Sequence, residues 1–491
     1  MKLKRLHMKK IYLIIVLFSL ASCNKWLDIT PQLEIRKDLM FENEQGFKDV
    51  LTGAYIRMAR PALYGLNTTI VLPELMSQHW KPVSNTLSDY LSAFNFEETD
   101  SKNLLETVWL QYFQTIVNLN SLLEELDNNK ELVTPENYRL IKGEAIGLRA
   151  FLHFEVLRFW SDVPQNTVAS NSAIPYVKEV TKDPNKLVSI SYQEVMANIL
   201  ADLESAEGLL DADPILEYSN DVLNSPATLA GIDQTKPHPS DDFHYFRQVR
   251  FNYYAVKATK ARLYLWTGDK TLALENALEV IGAQNGDGTR KFTLGSETAA
   301  NNGQLTFPTE HVFAVSNTMA TQTLTPVFFN DRTAYTQTTT YLNTAFESSL
   351  HTADIRYKNN RVWETRLVPM VGDFNFFKKY NSTDSKTAVT DMPLIRLAEM
   401  YFIAAECGNT DLFRDYRIAR ALDASIDGSM NTPEEVMARL EKEYRKEFYG
   451  EGQMFFFYKR LNYSLFTWPV AKVVLPENYK LPLPQSQQMF E

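Results

Sequence analysis

The sequence predicts a mostly α-helical protein, with tetratricopeptide-like helix pairs in one globular domain, long irregular insertions and minor β structure. Three observations lead to this prediction. Apolar residues recur at the three- and four-residue spacing of amphipathic helices along much of the 491-residue chain. A helix–turn–helix pattern is repeated, while two long stretches show no period. Hydrophobic residues make up 45% of the chain and charged residues 22%, a composition typical of globular proteins.

The amino terminus has the features of a bacterial targeting segment. Basic residues precede the apolar run Ile11–Ala21, which is too short to cross a bilayer as a stable helix. The run ends in Leu20-Ala21-Ser22-Cys23, a lipobox pattern in which the Cys23 thiol would accept a diacylglyceryl group carrying chains such as palmitate. The alternative is an ordinary secretory signal. We expect a lipoprotein signal peptide at residues 1–22 and a lipid-anchored mature domain at 23–491.

The first half of the chain predicts helices at residues 43–58 and 104–126, followed by a longer helix that begins at Thr134-Pro135. The part of this third helix within Gly143–Pro164 is apolar on two opposed faces. One face carries larger residues such as Leu148 and Leu152, and the other carries the small residues Gly143 and Gly147. A helix of this kind belongs in the middle of a helical stack.

The second half begins with a capping box at Ser191–Glu194, which predicts a helix reaching Leu210. Two helix pairs follow, at residues 255–281 around the turn Thr267-Gly268-Asp269, and at residues 392–422 around Gly408-Asn409. Further helices are predicted at about residues 432–448 and 455–461.

Two irregular stretches, at about residues 59–96 and 282–391, are the predicted ligand-face insertions. Long loops in compact domains are often functional, and both stretches are rich in aromatic residues. QTTTY at residues 337–341 is predicted to be extended. The candidate ligand-binding rings are Tyr64, Trp80, Tyr90, Tyr335, Tyr341 and Trp363, with polar help from Asn67, His79, Asn85 and Asn330. The alternative interpretation is that these rings fix the loops to the core.

Several function classes lack support in the sequence. A formal charge of −10 argues against nucleic-acid binding. The hydrolase, nucleotide-binding and zinc-protease motifs are missing, and the seven histidines show no metal-ligand spacing. The abundant carboxylates identify no specific catalytic pair. We therefore predict no enzyme activity, no cofactor and no metal site.

Six segments, taken in order, resemble the SusD/RagB-like nutrient-binding lipoproteins of gut and oral Bacteroidota. They are SCNKWLDITPQ (22–32), GEAIGLRAFLHFEVLRFWSDVP (143–164), ATKARLYLWTGD (258–269), MPLIRLAEMYFIAAECGN (392–409), LEKEYRKEFYGEGQMFFFYKR (440–460) and LPLPQSQ (481–487). The resemblance implies an α-helical protein, anchored by lipid to the outer membrane and facing the exterior. It also implies a partner, a TonB-dependent SusC-like transporter, to which the protein presents oligosaccharide or sometimes peptide.

Four functions remain to be distinguished. The first is a non-catalytic lid that binds oligosaccharide through exposed rings with polar neighbours. The second is a peptide-binding lid, for which the Phe374, Phe376 and Phe377 cluster offers an apolar surface. The third is a protein that contacts only the transporter, and the fourth is an enzyme with a close carboxylate pair in a cleft.

Overall fold

The computed structural model describes residues 37–225, 237–328, 335–358, 361–368, 372–380, 389–422 and 429–491. The signal-peptide and lipid-anchor predictions, including Cys23, lie outside these ranges, as does Asn330. Ten helices form the body and are labelled in chain order: α1 Glu44–Met58, α2 Thr99–Asn128, α3 Pro135–Trp160, α4 Tyr192–Leu209, α5 Tyr253–Thr267, α6 Lys270–Gly282, α7 Leu397–Glu406, α8 Thr410–Ala419, α9 Pro433–Glu447 and α10 Gln453–Arg460.

Helix α3 is the centre of the stack, as its two apolar faces predict. It packs against α2 on one side and α4 on the other, and all of its residues from Gly143 to Trp160 are buried. The small-residue face allows the close approach. A Cβ atom at Gly147 would lie 2.5 Å from the Phe251 ring, and one at Gly143 would lie 2.8 Å from the Leu210 side chain. These glycines therefore set how near α4 and the start of α5 can pack.

The predicted helix pairs form, with local chemistry that explains their turns. Gly268, at φ +86°, ends α5 in the left-handed conformation that glycine adopts readily, and Asp269 then caps α6 through Leu272 N–H. Capping boxes start α4 at Ser191 and α9 at Thr432. Thr134 precedes α3 as predicted, but its side chain makes no capping hydrogen bond. Its backbone N–H instead donates to Glu44 at 2.7 Å.

Strands occupy part of the second irregular stretch and one end of a predicted helix. The described strands there are β1 His311–Ser316, β2 Thr336–Gln337, β3 Trp363–Val368, β4 Gly372–Phe377 and β5 Asp391–Arg396. Strand β1 pairs antiparallel with β5, and β4 lies between β2 and β3 in an antiparallel sheet.

Two of our boundaries were wrong. The helix predicted to start at Met392 begins only at Leu397, because the apolar run MPLIR pairs with β1 as a fully buried strand. A short apolar run of this kind fits a buried strand or a buried helix equally well. QTTTY is extended only at Gln337, since Thr338 caps a short helix at Thr339–Ala345.

The first irregular stretch is more ordered than its sequence indicates. It contains one π-helical turn and two short α-helices, at Asn67–Val71, Leu72–Met76 and Leu87–Ser92. Most of its residues from Leu63 to Trp80 are buried, and only the loop at residues 81–86 is exposed throughout.

A buried network of charged side chains joins the second irregular stretch to α8 and α9. Glu447 lies 2.6 Å from Arg396, 2.7 Å from Arg420 and 3.2 Å from Arg356, and it also accepts a hydrogen bond from the Tyr416 hydroxyl at 2.7 Å. Glu447 is 3% exposed. Although burial disfavours its charge, the surrounding guanidinium groups hold its pKa well below the usual carboxyl value. The network has a structural role, because its buried charges pair with one another.

Candidate functional site

The two ring-bearing stretches contact each other directly. The Lys81 N–H donates to the Thr336 carbonyl at 3.2 Å, and the Gln337 amide donates to the His79 carbonyl at 3.2 Å. The Lys81 ammonium also lies 4.6 Å from the centre of the Phe374 ring. We call the outer surface formed by residues 81–92, 335–345 and the outer parts of β3 and β4 the ring-bearing face.

A closely packed aromatic cluster lies beneath this face. Trp80 is its centre, with ring centroids 4.9 Å from Tyr449, 5.4 Å from Phe377, 5.9 Å from Tyr335 and 6.3 Å from Trp363. Most of these pairs meet edge to face, the arrangement that aromatic quadrupoles favour. The cluster therefore fixes both irregular stretches to the carboxy-terminal part of the chain.

For three candidate rings, the structure selects the packing alternative. Trp80 and Trp363 are each 1% exposed and Tyr64 is 3% exposed. Tyr64 lies in the helical core, with its ring centroid 6.0 Å from those of Tyr112 and Phe151. A sugar cannot stack on a ring that presents no face to solvent, so our expectation that these three rings are exposed was wrong. The physical reason is that a large apolar ring is stabilised more by core burial than by exposure on a loop.

The other three candidates, Tyr90, Tyr335 and Tyr341, are partly exposed. Tyr335 rests edge-on against Trp80, and burial raises the pKa of its phenol to about 12. The Tyr341 carbonyl accepts a hydrogen bond from the Trp468 indole at 3.0 Å, which ties this part of the chain to the aromatic cluster. Tyr90 lies on the short helix Leu87–Ser92 that follows the exposed loop. Tyr335 and Tyr341 are therefore tied to the packed aromatic cluster.

Neutral polar groups run across the sheet next to these tyrosines. The Asn375 amide donates to the Thr339 hydroxyl at 2.9 Å and to the Gln337 carbonyl at 3.2 Å. The exposed Thr365 hydroxyl donates to the Asn375 side-chain oxygen at 2.8 Å. Asn375 is 2% exposed and holds these groups in place. The hydroxyls of Thr339 and Thr365 are therefore the neutral groups suited to hydrogen bonds with an uncharged hydroxylated ligand.

The four polar residues predicted to assist ligand binding lie in different environments. His79 is fully buried and bonds to Glu74 at 2.8 Å, so it supports the aromatic cluster rather than facing a ligand. Glu74 also accepts from the N–H groups of Gly450 at 2.9 Å and Gly452 at 2.7 Å. Asn67 is half-buried in the π-helical turn, and Asn85 is exposed on the loop. Asn330 lies outside the described residues.

The cluster Phe374, Phe376 and Phe377 does not form the apolar surface expected for peptide capture. Phe377 and Phe376 are buried, and the half-buried Phe374 is covered by Lys81. Sequence reasoning missed Tyr449 and Trp468, which complete the ring cluster from the carboxy-terminal block. The sequence signal that could have identified Trp468 is the pair Trp468-Pro469, which lies outside any helical periodicity.

Within the described ranges, no cluster of three or more histidine, cysteine, aspartate or glutamate side chains has a metal-binding arrangement. No helix in those ranges combines the length and apolarity needed to cross a membrane.

Comparisons with known proteins agree along most of the chain. A family model described as starch-binding and associating with the outer membrane matches residues 25–230, and one described as the SusD family matches residues 283–475. A SusD-like protein of Formosa agariphila is 21% identical over 161 residues, which span 31% of this chain and 30% of that protein.

Solved structures show the same fold at low sequence identity. A SusD superfamily protein of Bacteroides thetaiotaomicron is 17% identical, with 91% of this chain and 98% of that chain covered and a TM-score of 0.69. A SusD-like carbohydrate-binding protein of Bacteroides vulgatus is 16% identical, with 91% and 96% covered and a TM-score of 0.65. At these identities the likeness extends to the fold alone.

Proposed function

The chain belongs to the SusD/RagB-like family, and from this premise we propose that it is a non-catalytic cell-surface lipoprotein that binds oligosaccharide. In this proposal it delivers the oligosaccharide to a TonB-dependent SusC-like transporter in the outer membrane. The membrane anchor is a lipid on Cys23, and the binding surface is the ring-bearing face. The peptide-binding alternative becomes one outcome of the test below.

The observation that carries the proposal is the position of three tyrosines. Tyr90, Tyr335 and Tyr341 are partly exposed on the two irregular stretches that meet over the aromatic cluster. Flat rings of this kind pack against the C–H faces of a sugar, and the Thr365–Asn375 hydrogen bond shows neutral polar groups nearby. Because the aromatic cluster is already packed, binding would cost little ordering of the protein.

The primary test is retardation in native gels that contain starch, xylan, mannan, pectin, laminarin or levan, followed by calorimetry with oligosaccharides of any polymer that retards the protein. We expect Tyr335→Ala and Tyr341→Ala each to weaken binding about tenfold, which corresponds to about 1.4 kcal/mol. Tyr90→Ala is expected to act in the same direction.

The matched control is Tyr138→Ala, which removes a half-buried tyrosine of α3 outside the ring-bearing face. We expect this variant to bind like the unmodified protein. Unchanged affinity in all three ring variants would remove the ring-bearing face from the site. If the protein binds none of these polymers and peptides co-purify with it, the proposed ligand would be peptide instead of oligosaccharide.

The anchor and the partner are tested separately. Cys23→Ala is expected to move the protein from the membrane fraction to the soluble fraction, and unchanged fractionation would contradict the lipid anchor. Extraction of the native protein in mild detergent is expected to recover a TonB-dependent barrel together with it. Recovery of the protein without a barrel would contradict delivery to such a transporter.

A further inference from the structure

A cleft that shares no lining residue with the ring-bearing face lies beside the carboxy-terminal half of α1 and the paired strands β1 and β5. Its volume is ≈ 610 Å³, within the range typical of small-molecule sites. Its lining includes Ile56, Phe246, Arg250, Ser316 and Asp391. It contains none of the six ring candidates identified from the sequence.

Phe246 is the most unusual residue of this cleft. Its side chain is 44% exposed, more than that of any other aromatic residue in the described part of the chain. Its backbone also has a φ of +55°, in the left-handed region that a non-glycine residue occupies at a cost of about 1 kcal/mol. The conformation is fixed, because the Phe246 N–H donates to the Leu223 carbonyl at 2.8 Å. Residues held in strained backbone conformations are often found at ligand-binding sites, and here the strained residue also presents an exposed aromatic ring.

The polar groups around the ring include both donors and acceptors. The Arg250 side chain is 16% exposed, and its buried Nη1 atom lies 3.6 Å from Glu144 and has no hydrogen-bond partner among the described residues. Glu144 itself is already bonded to Arg247 and to the Tyr55 hydroxyl. Asp391 lies across the strand pair from Ser316. Burial raises the pKa of its carboxyl, and hydrogen bonds from the Ser316 and Thr390 side chains partly oppose this rise.

The charges argue for an uncharged ligand. An anion would be attracted by Arg250 but repelled by Asp391 and Asp242, and an ammonium group would meet the opposite arrangement. A sugar ring has no charge, and its hydroxyl groups both donate and accept hydrogen bonds. It also offers a flat C–H face to an aromatic ring.

We propose that this Phe246 cleft is a second carbohydrate-binding site, which takes a neutral mono- or disaccharide unit. The sugar stacks on Phe246, its hydroxyls accept from Arg250 and donate to Asp391, and Ile56 closes the apolar side. The site is independent of the ring-bearing face and would allow one chain to hold a glycan at two points. Two weak sites on one polymer raise the overall affinity by effective concentration.

The test uses saturation-transfer NMR with maltose, cellobiose, xylobiose, mannobiose and lactose as neutral probes and glucuronate as the acidic probe. It is carried out on the mature protein that already carries Tyr335→Ala and Tyr341→Ala, so that signal from the ring-bearing face is reduced. Phe246→Leu keeps an apolar side chain but removes the flat ring, and Phe246→Tyr keeps the ring. Ile418→Ala, which truncates a 65% exposed side chain of α8, is the surface control.

We expect at least one neutral disaccharide to give a signal in this background, and Phe246→Leu to weaken its binding about tenfold. Phe246→Tyr and Ile418→Ala are expected to leave the signal unchanged. No signal from any neutral probe, equal binding in the Phe246→Leu variant, or binding of glucuronate alone would overturn the proposal. Loss of signal with Phe246→Leu supports sugar binding in the Phe246 cleft even if the two tyrosine substitutions have no effect by themselves. The experiment therefore distinguishes failure of the cleft proposal from failure of the ring-bearing face proposal.

Discussion

Replacing either Trp80 or Trp363 of the aromatic cluster by phenylalanine separates packing from ligand contact, and the two variants should differ in stability by a predictable amount. Trp80 and Trp363 are equally buried at 1% exposure, and their rings lie 6.3 Å apart in the same cluster. Their indole N–H groups differ. That of Trp80 donates to the Ile70 carbonyl at 3.0 Å, whereas that of Trp363 has no hydrogen-bond partner among the described residues.

The expected magnitude follows from this difference. Both substitutions leave a similar cavity, so the cavity cost largely cancels between them. Trp80→Phe also loses a hydrogen bond with a net value of about 1 kcal/mol, while Trp363→Phe removes a buried unsatisfied donor whose presence costs about 1 kcal/mol or more. Trp80→Phe should therefore be less stable than Trp363→Phe by about 2 kcal/mol. In a chain of this length each kcal/mol shifts Tm by about 1 °C, so the Tm difference is about 2 °C.

The assay is urea unfolding followed by circular dichroism, with Tm from calorimetry and oligosaccharide affinity measured in parallel. Affinity should stay within about twofold of the unmodified protein, since neither ring presents a face to a ligand. The reasoning is refuted if Trp363→Phe is destabilised as much as Trp80→Phe. It is also refuted if either variant keeps its stability and loses sugar binding.

Three further predictions concern the body of the protein. Glu447→Gln should lower the free energy of unfolding by about 3–5 kcal/mol, because Arg356, Arg396 and Arg420 lose a shared buried carboxylate. Urea unfolding measures this change, and a loss below about 1 kcal/mol would contradict a stabilising role for the charged network. The pKa values of Glu443 and Glu447 are lowered in the folded state, so their contribution to stability is present above the usual carboxyl pKa near 4.5 and is lost as the pH falls below it. Tm measured from pH 7 to pH 3 should therefore fall below about pH 4.5, and it should fall less steeply in the Glu447→Gln variant. Gly147→Ala should cost about 1–3 kcal/mol, because the added Cβ would lie 2.5 Å from Phe251, whereas Gly53→Ala on the open face of α1 should be neutral or stabilising; equal stabilities by urea unfolding would contradict the close packing of α3.

Much of the helical body could be predicted from the sequence. The two-faced pattern of Gly143–Trp160 predicts a central helix, and the capping box at Ser191–Glu194 and the turn at Gly268 mark boundaries that the structure confirms. These signals are local, because periodicity, caps and turn glycines act within a few residues. The strand at Asp391–Arg396 was missed for the complementary reason: its partner β1 lies about 80 residues away in sequence, and the run MPLIR alone does not choose between strand and helix.

The candidate site was predicted only in outline. The sequence predicted which two stretches carry the aromatic residues, but it could not say which rings would be buried. Trp80 is buried because Phe377 and Tyr449, distant in sequence, surround it, and no local pattern around His79-Trp80 reports that. Phe246 was missed because it stands in a polar, proline-containing stretch, where an isolated aromatic residue attracts no notice. Its exposure and left-handed backbone are visible only in three dimensions.

Hydrogen exchange with and without a bound oligosaccharide, identified from the gel panel, tests the central claim most directly. The claim is that residues 81–92 and 335–345 form one surface that holds sugar. The account predicts that amides of both segments become protected together on binding, while those of α4, at Tyr192–Leu209, are unchanged. Protection of only one segment, or of neither, while the sugar is bound would contradict it.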